Sequence, residues 1–447
     1  MKHIRRVLAL VLCLVLTGSL IPTVSAEDAP YSLTLHLGPG SIQVRAFCDG
    51  FANNLYLSLS DLSAALGGTA KQFRFTYTSS GADGEIFAVT SGEPSSLSTG
   101  GVEGSSPYVT TLYPRRNRLF KDGREVKYYT HRYGADLYIS LVDAQLLLDV
   151  CITPQPDGSL LLDPERAFAP TPQELAESGF LDAVSAIVLA DASTGKLLYE
   201  RNGAQTLPIA SLSKLMSYYL IAEAVNAGRV SLNDLVPISG KAAALSRSPD
   251  GMVELHAGTS VPLTELLDAM LLASSNESAL ALAEYIGGSE EAFVAAMNAK
   301  AKELGLSSAV FRSPHGLPVY SSAALPAKQQ NVMSAEELFS LCRTLMATYP
   351  AITGRTSCQF AAMPSLNYTC ANSNPMVFNL PGVTGLKTGN TTRAGYCLIS
   401  TLPVTVSSGT HTLVLIVLGA ETAALRNQVS QLLLLYAQRC FLDGSFS

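Results

Sequence analysis

Three short strings in this chain carry the residue types for chemistry: Ser211-Leu212-Ser213-Lys214, Ser274-Ser275-Asn276 and Lys387-Thr388-Gly389. A lysine three places after a serine lies one helical turn away on the same side, so amine and hydroxyl meet. A neutral amine there can take the hydroxyl proton and activate the oxygen as a nucleophile. Ser211 follows Leu207-Pro208-Ile209-Ala210 and opens an amphipathic run with Leu212, Leu215, Met216 and Tyr219 on its apolar side. A helix start adds N–H donors and a positive dipole end, which favour a developing oxyanion. Ser213 points to another side. Ser274 can pass a proton between Lys214 and a leaving amine, while Asn276 can hydrogen-bond Lys214 or a substrate amide. Gly389 lets a substrate backbone lie close, and Lys387 with Thr388 can grip a free carboxylate. The parts add up to acyl transfer by a serine nucleophile. Lys214 must then be at least partly neutral, which burial and the Lys387 cation would both promote.

Taken singly, each string has an ordinary reading. Ser-x-x-Lys is expected about once by chance in a chain this long. An isolated Ser-Ser-Asn ahead of a helix is mostly plain capping, and Lys-Thr-Gly reads as a strand end followed by a turn. Order and flanking sequence set them apart. The first sits in Pro208-Ile209-Ala210-Ser211-Leu212-Ser213-Lys214-Leu215-Met216, and the second in Leu272-Ala273-Ser274-Ser275-Asn276-Glu277-Ser278-Ala279-Leu280. The third sits in Gly382-Val383-Thr384-Gly385-Leu386-Lys387-Thr388-Gly389-Asn390-Thr391. Met297-Asn298, Leu304-Gly305-Leu306 and Pro314-His315-Gly316-Leu317 stand between them. Over about residues 180–440 the chain resembles the D-alanyl-D-alanine carboxypeptidases, the low-molecular-mass penicillin-binding proteins of peptidase family S11.

The resemblance implies an α/β (α+β) fold of the β-lactamase/transpeptidase type, a five-stranded antiparallel sheet flanked by helices. It implies an acyl-enzyme route on the peptidoglycan stem peptide, inhibited covalently by β-lactams, with no cofactor and no metal. Ser211 would attack the carbonyl of the penultimate D-alanine, Lys214 would act as base, and Ser274 and Asn276 would complete the proton path. Lys387, Thr388, Gly389 and Asn390 would bind substrate, the backbone N–H groups of Ser211 and Asn390 forming the oxyanion hole. Asn390 stands where many relatives carry His, which leaves that backbone donor in place. The rival readings are a D,D-endopeptidase or a β-lactamase on the same fold, or a non-catalytic wall-binding protein. A β-lactamase would need a dedicated deacylating base, and no Glu-x-x-x-Asn or Glu-x-x-Leu-Asn element lies between Asn276 and Lys387.

The elements that must position these residues are readable from periodicity. Ala186 to Ala190 and Lys196 to Tyr199 form two strands around a turn, and helices follow over Leu212 to Val225 and Ser278 to Ile286. Ser274-Ser275-Asn276 therefore falls on a loop at a helix entrance. Strands return at Leu386 to Thr388, Tyr396 to Ile399 and Leu413 to Val417, joined by short loops that make them antiparallel. A last helix runs from about Ala424 to Cys440.

The first third carries a weak repeat. Leu55-Tyr56-Leu57-Ser58-Leu59-Ser60-Asp61 recurs 82 positions on as Leu137-Tyr138-Ile139-Ser140-Leu141-Val142-Asp143. Each copy follows a strand-like alternation (Ile42, Val44, Ala46; Val126, Tyr128) and runs into a short apolar helix that Ser60 or Ser140 can cap. Leu160 to Asp163 looks like a closing strand, and Ser91 to Ser106, rich in Gly and Ser, like a loop. The pattern resembles the small β-rich module called copper amine oxidase N-terminal-like, which implies cell-wall or surface attachment rather than copper chemistry. Residues 1–26 read as an export signal: Lys2, Arg5 and Arg6, an apolar run from Val7 to Leu16, and small residues at Val24 and Ala26. The domains are then 1–26 signal peptide, 27–166 β-rich two-repeat domain, 167–178 linker with Pro170 and Pro172, and 179–447 catalytic domain, with the product exported to the cell wall. An apolar share of 47% against 15% charged residues fits folded domains, and a net charge of -6 without a basic block argues against nucleic acid. Cys48, Cys151, Cys342, Cys358, Cys370, Cys397 and Cys440 show no disulfide or zinc spacing and read mostly as buried small hydrophobes.

Overall fold

The computed structural model describes residues 30–49, 54–79, 85–95, 117–133, 135–320 and 328–446. The export signal at 1–26 and most of the Gly/Ser-rich loop expected at 91–106 lie outside the described residues. Chain contacts divide the protein between Asp182 and Ala183, and each unit has its own hydrophobic core.

The first unit contains β1 (Tyr31–Leu37), β2 (Gly40–Asp49), β3 (Asn54–Ser58), α1 (Leu59–Ala65), β4 (Phe73–Ser79), β5 (Glu85–Ser91), β6 (Asn117–Lys121) and β7 (Arg124–Val126). It continues with β8 (Thr130–Tyr133), β9 (Asp136–Ser140), α2 (Leu141–Leu148), β10 (Cys151–Pro154), β11 (Leu160–Asp163) and α3 (Pro172–Glu177). Strands β4 to β7 form one sheet, and the others form a second in the order β10-β11-β1-β2-β3-β9-β8. The two repeat copies meet in that second sheet. β3 pairs antiparallel with β9, and Leu57 faces Ile139, its own counterpart in the repeat. The copies are thus related by a local two-fold axis through that pair.

Three expectations need correction here. The strand before the second copy is Thr130–Tyr133, not the Val126–Tyr128 stretch, because the chain leaves β7 at Val126. The cap of α1 is Ser58, the repeat counterpart of Ser140, and not Ser60. Ser58 Oγ accepts from Asp61 N at 3.0 Å, as Ser140 Oγ does from Asp143 N at 3.1 Å. Ser60 instead donates to the buried Asp136 carboxylate at 2.6 Å, which also takes Ser58 Oγ and the Arg45 guanidinium. The segment expected as an unstructured linker at 167–178 contains α3. Pro172 sits at its first position, and Thr171 and Glu174 exchange the two bonds of a capping box.

In the second unit, β12 (Ala186–Asp191) and β13 (Lys196–Arg201) join β14 (Gly385–Thr391), β15 (Gly395–Val406) and β16 (Gly409–Ala420) in one sheet. The order is β13-β12-β16-β15-β14, antiparallel throughout, as expected of the five-stranded sheet. Every residue of β12 is buried, so both of its faces are covered, since side chains alternate. Helices α4 (Lys214–Asn226), α5 (Asn276–Gly287), α6 (Glu290–Glu303) and α7 (Ala335–Thr348) lie in the chain between the early and late strands. Helix α8 (Ala423–Leu442) closes the unit against β15 and β16. Of the described cysteines, Cys151, Cys342, Cys370, Cys397 and Cys440 are buried and Cys358 is exposed, all as free thiols.

Candidate active site

Ser211 lies in a 3-10 turn, Ala210–Ser213, which runs into α4 at Lys214. This corrects the expectation of one continuous helix from Leu212. Residues i and i+3 eclipse in a 3-10 turn, and Lys214 Nζ comes to 2.8 Å from Ser211 Oγ. Ala210, just before the nucleophile, has φ 46°, a left-handed conformation that a β-carbon disfavours. The loop Pro314-His315-Gly316 holds this turn in place. A Cβ on Gly316 (φ +90°) would stand 2.0 Å from Ala210 O, so only glycine allows the approach. Ser217 Oγ donates to Pro314 O at 2.6 Å and fixes the loop to α4. As a result His315 O accepts from Lys214 Nζ at 2.6 Å and from Ser211 Oγ at 3.3 Å.

The second wall is built at the start of α5. A π-helical turn, Ala269–Ala273, ends at Ser274, whose φ of 63° reverses the chain. Ser275 caps α5, and Asn276 is its first residue rather than part of the preceding loop as expected. Asn276 Nδ2 donates to Asp250 O at 2.8 Å, which turns Oδ1 towards Lys214 Nζ at 2.7 Å. Glu277 is fully buried and accepts from Ser275 Oγ (2.7 Å), Met252 N (3.1 Å) and Val253 N (2.5 Å). That carboxylate holds the 250–253 segment where it orients Asn276.

β14 forms the third wall. Lys387 and Thr388 are buried, and Lys387 Nζ donates to Thr388 O at 3.0 Å. A Cβ on Gly389 would stand 2.9 Å from Ser211 N, so glycine lets the strand run beside the nucleophile turn. Asn390 is exposed just beyond it. Thr388 Oγ1 lies 2.6 Å from the hydroxyl of Ser373.

The charges follow from burial. Lys214 is wholly enclosed, and burial pushes its pKa well below the ordinary lysine value; the Lys387 cation pushes it further, and Glu277 opposes both. Lys387 is itself lowered to about 7, first by burial and then by the Arg426 charge. Burial, with the Lys214 and Lys241 charges, takes His315 down to about 3, so its ring is neutral. A neutral Lys214 that donates its two N–H groups to the His315 carbonyl and the Asn276 amide oxygen keeps its lone pair for the Ser211 hydroxyl, a proton acceptor poised on the nucleophile.

Of the residues singled out from sequence, Ser211, Lys214 and Asn276 are in direct hydrogen-bond contact. Gly389 touches the same turn, Lys387 acts on Lys214 through its charge, and Thr388 bonds Ser373. Ser274 is the half-buried residue at the chain reversal two places before Asn276. The roles of His315 O, Glu277 and Ser373 were not seen in the sequence. His315 acts through its backbone, which residue type does not report; the glycine after it was the one available signal. Among the described residues, no group of His, Cys, Asp or Glu could hold a metal ion, and no helix is long and apolar enough to cross a membrane.

Residues 173–422 match the family model of peptidase S11, D-alanyl-D-alanine carboxypeptidase. The chain is 34% identical over 250 residues to the D-alanyl-D-alanine carboxypeptidase DacF of Bacillus subtilis (strain 168), a match covering 55% of this chain and 60% of that protein. It therefore spans less than two thirds of that relative's length. A D-alanyl-D-alanine endopeptidase of Pseudomonas aeruginosa is 31% identical over 243 residues, covering 53% of this chain and 70% of the relative. Among solved structures, a peptidoglycan synthesis regulatory factor (PBP3) from Streptococcus pneumoniae superposes with a TM-score of 0.52 at 30% identity, over 57% of this chain and 73% of that one.

Proposed function

The chain belongs to the D-alanyl-D-alanine carboxypeptidase family, and on that premise we propose that it removes the terminal D-alanine from peptidoglycan stem pentapeptides through an acyl-enzyme. The observation that carries this reading is the enclosed Lys214 amine at 2.8 Å from Ser211 Oγ. Neutral Lys214 takes the Ser211 proton as Oγ bonds to the carbonyl carbon of the penultimate D-alanine. The backbone N–H groups of Ser211 and Asn390 hold the oxyanion. Ser274 passes the proton from Lys214 to the departing nitrogen, the C–N bond breaks, and D-alanine leaves. Water, deprotonated by Lys214, then cleaves the ester and returns Ser211 to its hydroxyl form. Lys387 and Thr388 grip the carboxylate of the departing residue; an anion beside Lys387 favours its charged form. A β-lactam reacts at the same hydroxyl, but its leaving nitrogen stays tethered and the ester persists.

The likeness to an endopeptidase favours a second reading on the same residues, cleavage of D,D cross-links. Residues 1–26 would export the protein, and the β-rich repeats of 27–166 would hold the catalytic domain, 179–447, at the cell wall. Fluorescent penicillin and a D-alanine assay on pentapeptide and cross-linked dimer test the reading. Wild type should bind the label covalently and release D-alanine, and Ser211→Ala should do neither. Labelling that survives Ser211→Ala would overturn it.

A further inference from the structure

The two donors of the oxyanion hole come from separate segments, Ser211 N from the 3-10 turn and Asn390 N from the end of β14. Two adjacent buried residues, Gln330 and Asn331, touch both segments. Asn331 O accepts from Ile209 N at 3.0 Å, two residues before Ser211. The chain then runs antiparallel to the stretch that leads into the turn, with Val332 opposite Pro208 and Met333 opposite Leu207. The Asn331 side chain ties the same place to the loop that carries His315. Its Oδ1 accepts from Arg312 N (2.6 Å) and Ser313 N (3.2 Å), and its Nδ2 donates to Ser313 O (2.8 Å). Gln330 reaches the other way. Its Oε1 accepts from Thr391 Oγ1 at 2.9 Å, and Thr391 directly follows Asn390. Thr391 Oγ1 in turn accepts from Ala394 N at 3.1 Å, inside the turn that joins β14 to β15.

We propose that Gln330 is a positioning residue for the oxyanion hole: Asn331 is fixed to the nucleophile turn, and the Gln330 side chain holds Thr391, so the pair sets the Asn390 N–H against the Ser211 N–H. The inference rests on the reading of Ser211 and Asn390 as those donors. An oxyanion hole works only if its donors stand in place before charge develops, because donors that must move then lose part of what they give. β14 is an edge strand of its sheet, paired with β15 alone. Its last residue therefore needs an anchor outside the sheet, and the Gln330–Thr391 bond is one. That anchor starts next to the residue bonded to Ile209, so a shift of the nucleophile turn carries Thr391 with it. Gln330 makes the bond as a neutral amide and brings no negative charge towards the developing oxyanion.

The test breaks the bond from either end with near-isosteric variants, Gln330→Met and Thr391→Val, assayed on an N-acylated D-alanyl-D-alanine peptide. Each should lose about tenfold in kcat, part of the roughly 10²–10³ that a whole oxyanion donor is worth. Acylation and deacylation both pass through the oxyanion and slow together, so KM should stay within about twofold. The double variant should lose no more than either single one, since all three lack the same bond. Thr391→Ser keeps the hydroxyl and should match wild type. A peptide boronic acid, with boron in place of the scissile carbonyl carbon, becomes tetrahedral on Ser211 and sets an oxygen in the hole. Its affinity should fall by the same factor as kcat. Full kcat in Thr391→Val, additive losses in the double variant, or a fall in kcat that the boronic acid does not share overturns the proposal. Should Gln330→Met fail to fold, Thr391→Val against Thr391→Ser carries the comparison alone. A wild type that releases no D-alanine would be a separate failure, that of the function itself, and would take this inference down with it.

Discussion

Lys214 is held by opposing neighbours, and the balance between them sets the pH range of catalysis. Burial and then Lys387 lower its pKa, while Glu277 raises it. Only the neutral amine can accept the Ser211 proton, so acylation should rise with pH through the lowered Lys214 pKa and be fully developed well below the range where a free lysine titrates. Lys387→Gln removes a lowering charge and should move that rising limb to higher pH; Glu277→Gln removes a raising charge and should move it lower. Second-order acylation rates by fluorescent penicillin, measured across pH, read both shifts. Shifts in the opposite directions would mean that another group controls the limb. Lys214→Ala should lose about 10²–10⁴-fold in the same rate, the usual worth of a positioned base. At this scale the motif serines, lysines and Asn276 were readable, since their chemistry lies in side-chain type and spacing. His315 was not, because it serves through its carbonyl, and Ser373 was not, because its neighbour Thr388 is distant in sequence.

The elements explain why those side chains meet. The 3-10 turn brings Lys214 under Ser211, the left-handed Ser274 sends the chain into α5, and two glycines let separate segments touch the nucleophile turn. Gly316→Ala tests this arrangement. A side chain at φ +90° is strained by about 1–3 kcal/mol, and its methyl would collide with Ala210 O. The variant should melt at lower temperature and acylate about a hundredfold more slowly, as a displaced nucleophile does. Wild-type melting with wild-type acylation would contradict the close packing described. Strand order and helix existence could be read from periodicity, but the details that matter most could not. Hydrophobic spacing does not separate a 3-10 turn from the first turn of an α-helix, nor say which of Ser58 and Ser60 is the last extended residue. Pro170 and Pro172 suggest a break in regular structure, yet a proline at a first helical position costs nothing, since its missing donor has no partner there anyway. Thr171 and Glu174, spaced as a capping box, are the signal in the sequence for that helix.

At the scale of the whole molecule, the two units have separate cores, and calorimetry should resolve two unfolding transitions. Benzylpenicillin should move only the one that belongs to 183–447, because a group bound to one cooperative unit stabilises that unit. A single transition, or equal movement of both, would show that they unfold as one. The face-to-face pairing of Leu57 with Ile139 has a consequence of its own. A polypeptide with only one copy of this motif would leave its third strand as a bare border, open to any passing chain. The simplest remedy for such a half-module is a twin of itself, joined isologously as a homodimer. Here tandem duplication has supplied the twin within one chain, so the seam is closed at every protein concentration and needs no partner molecule.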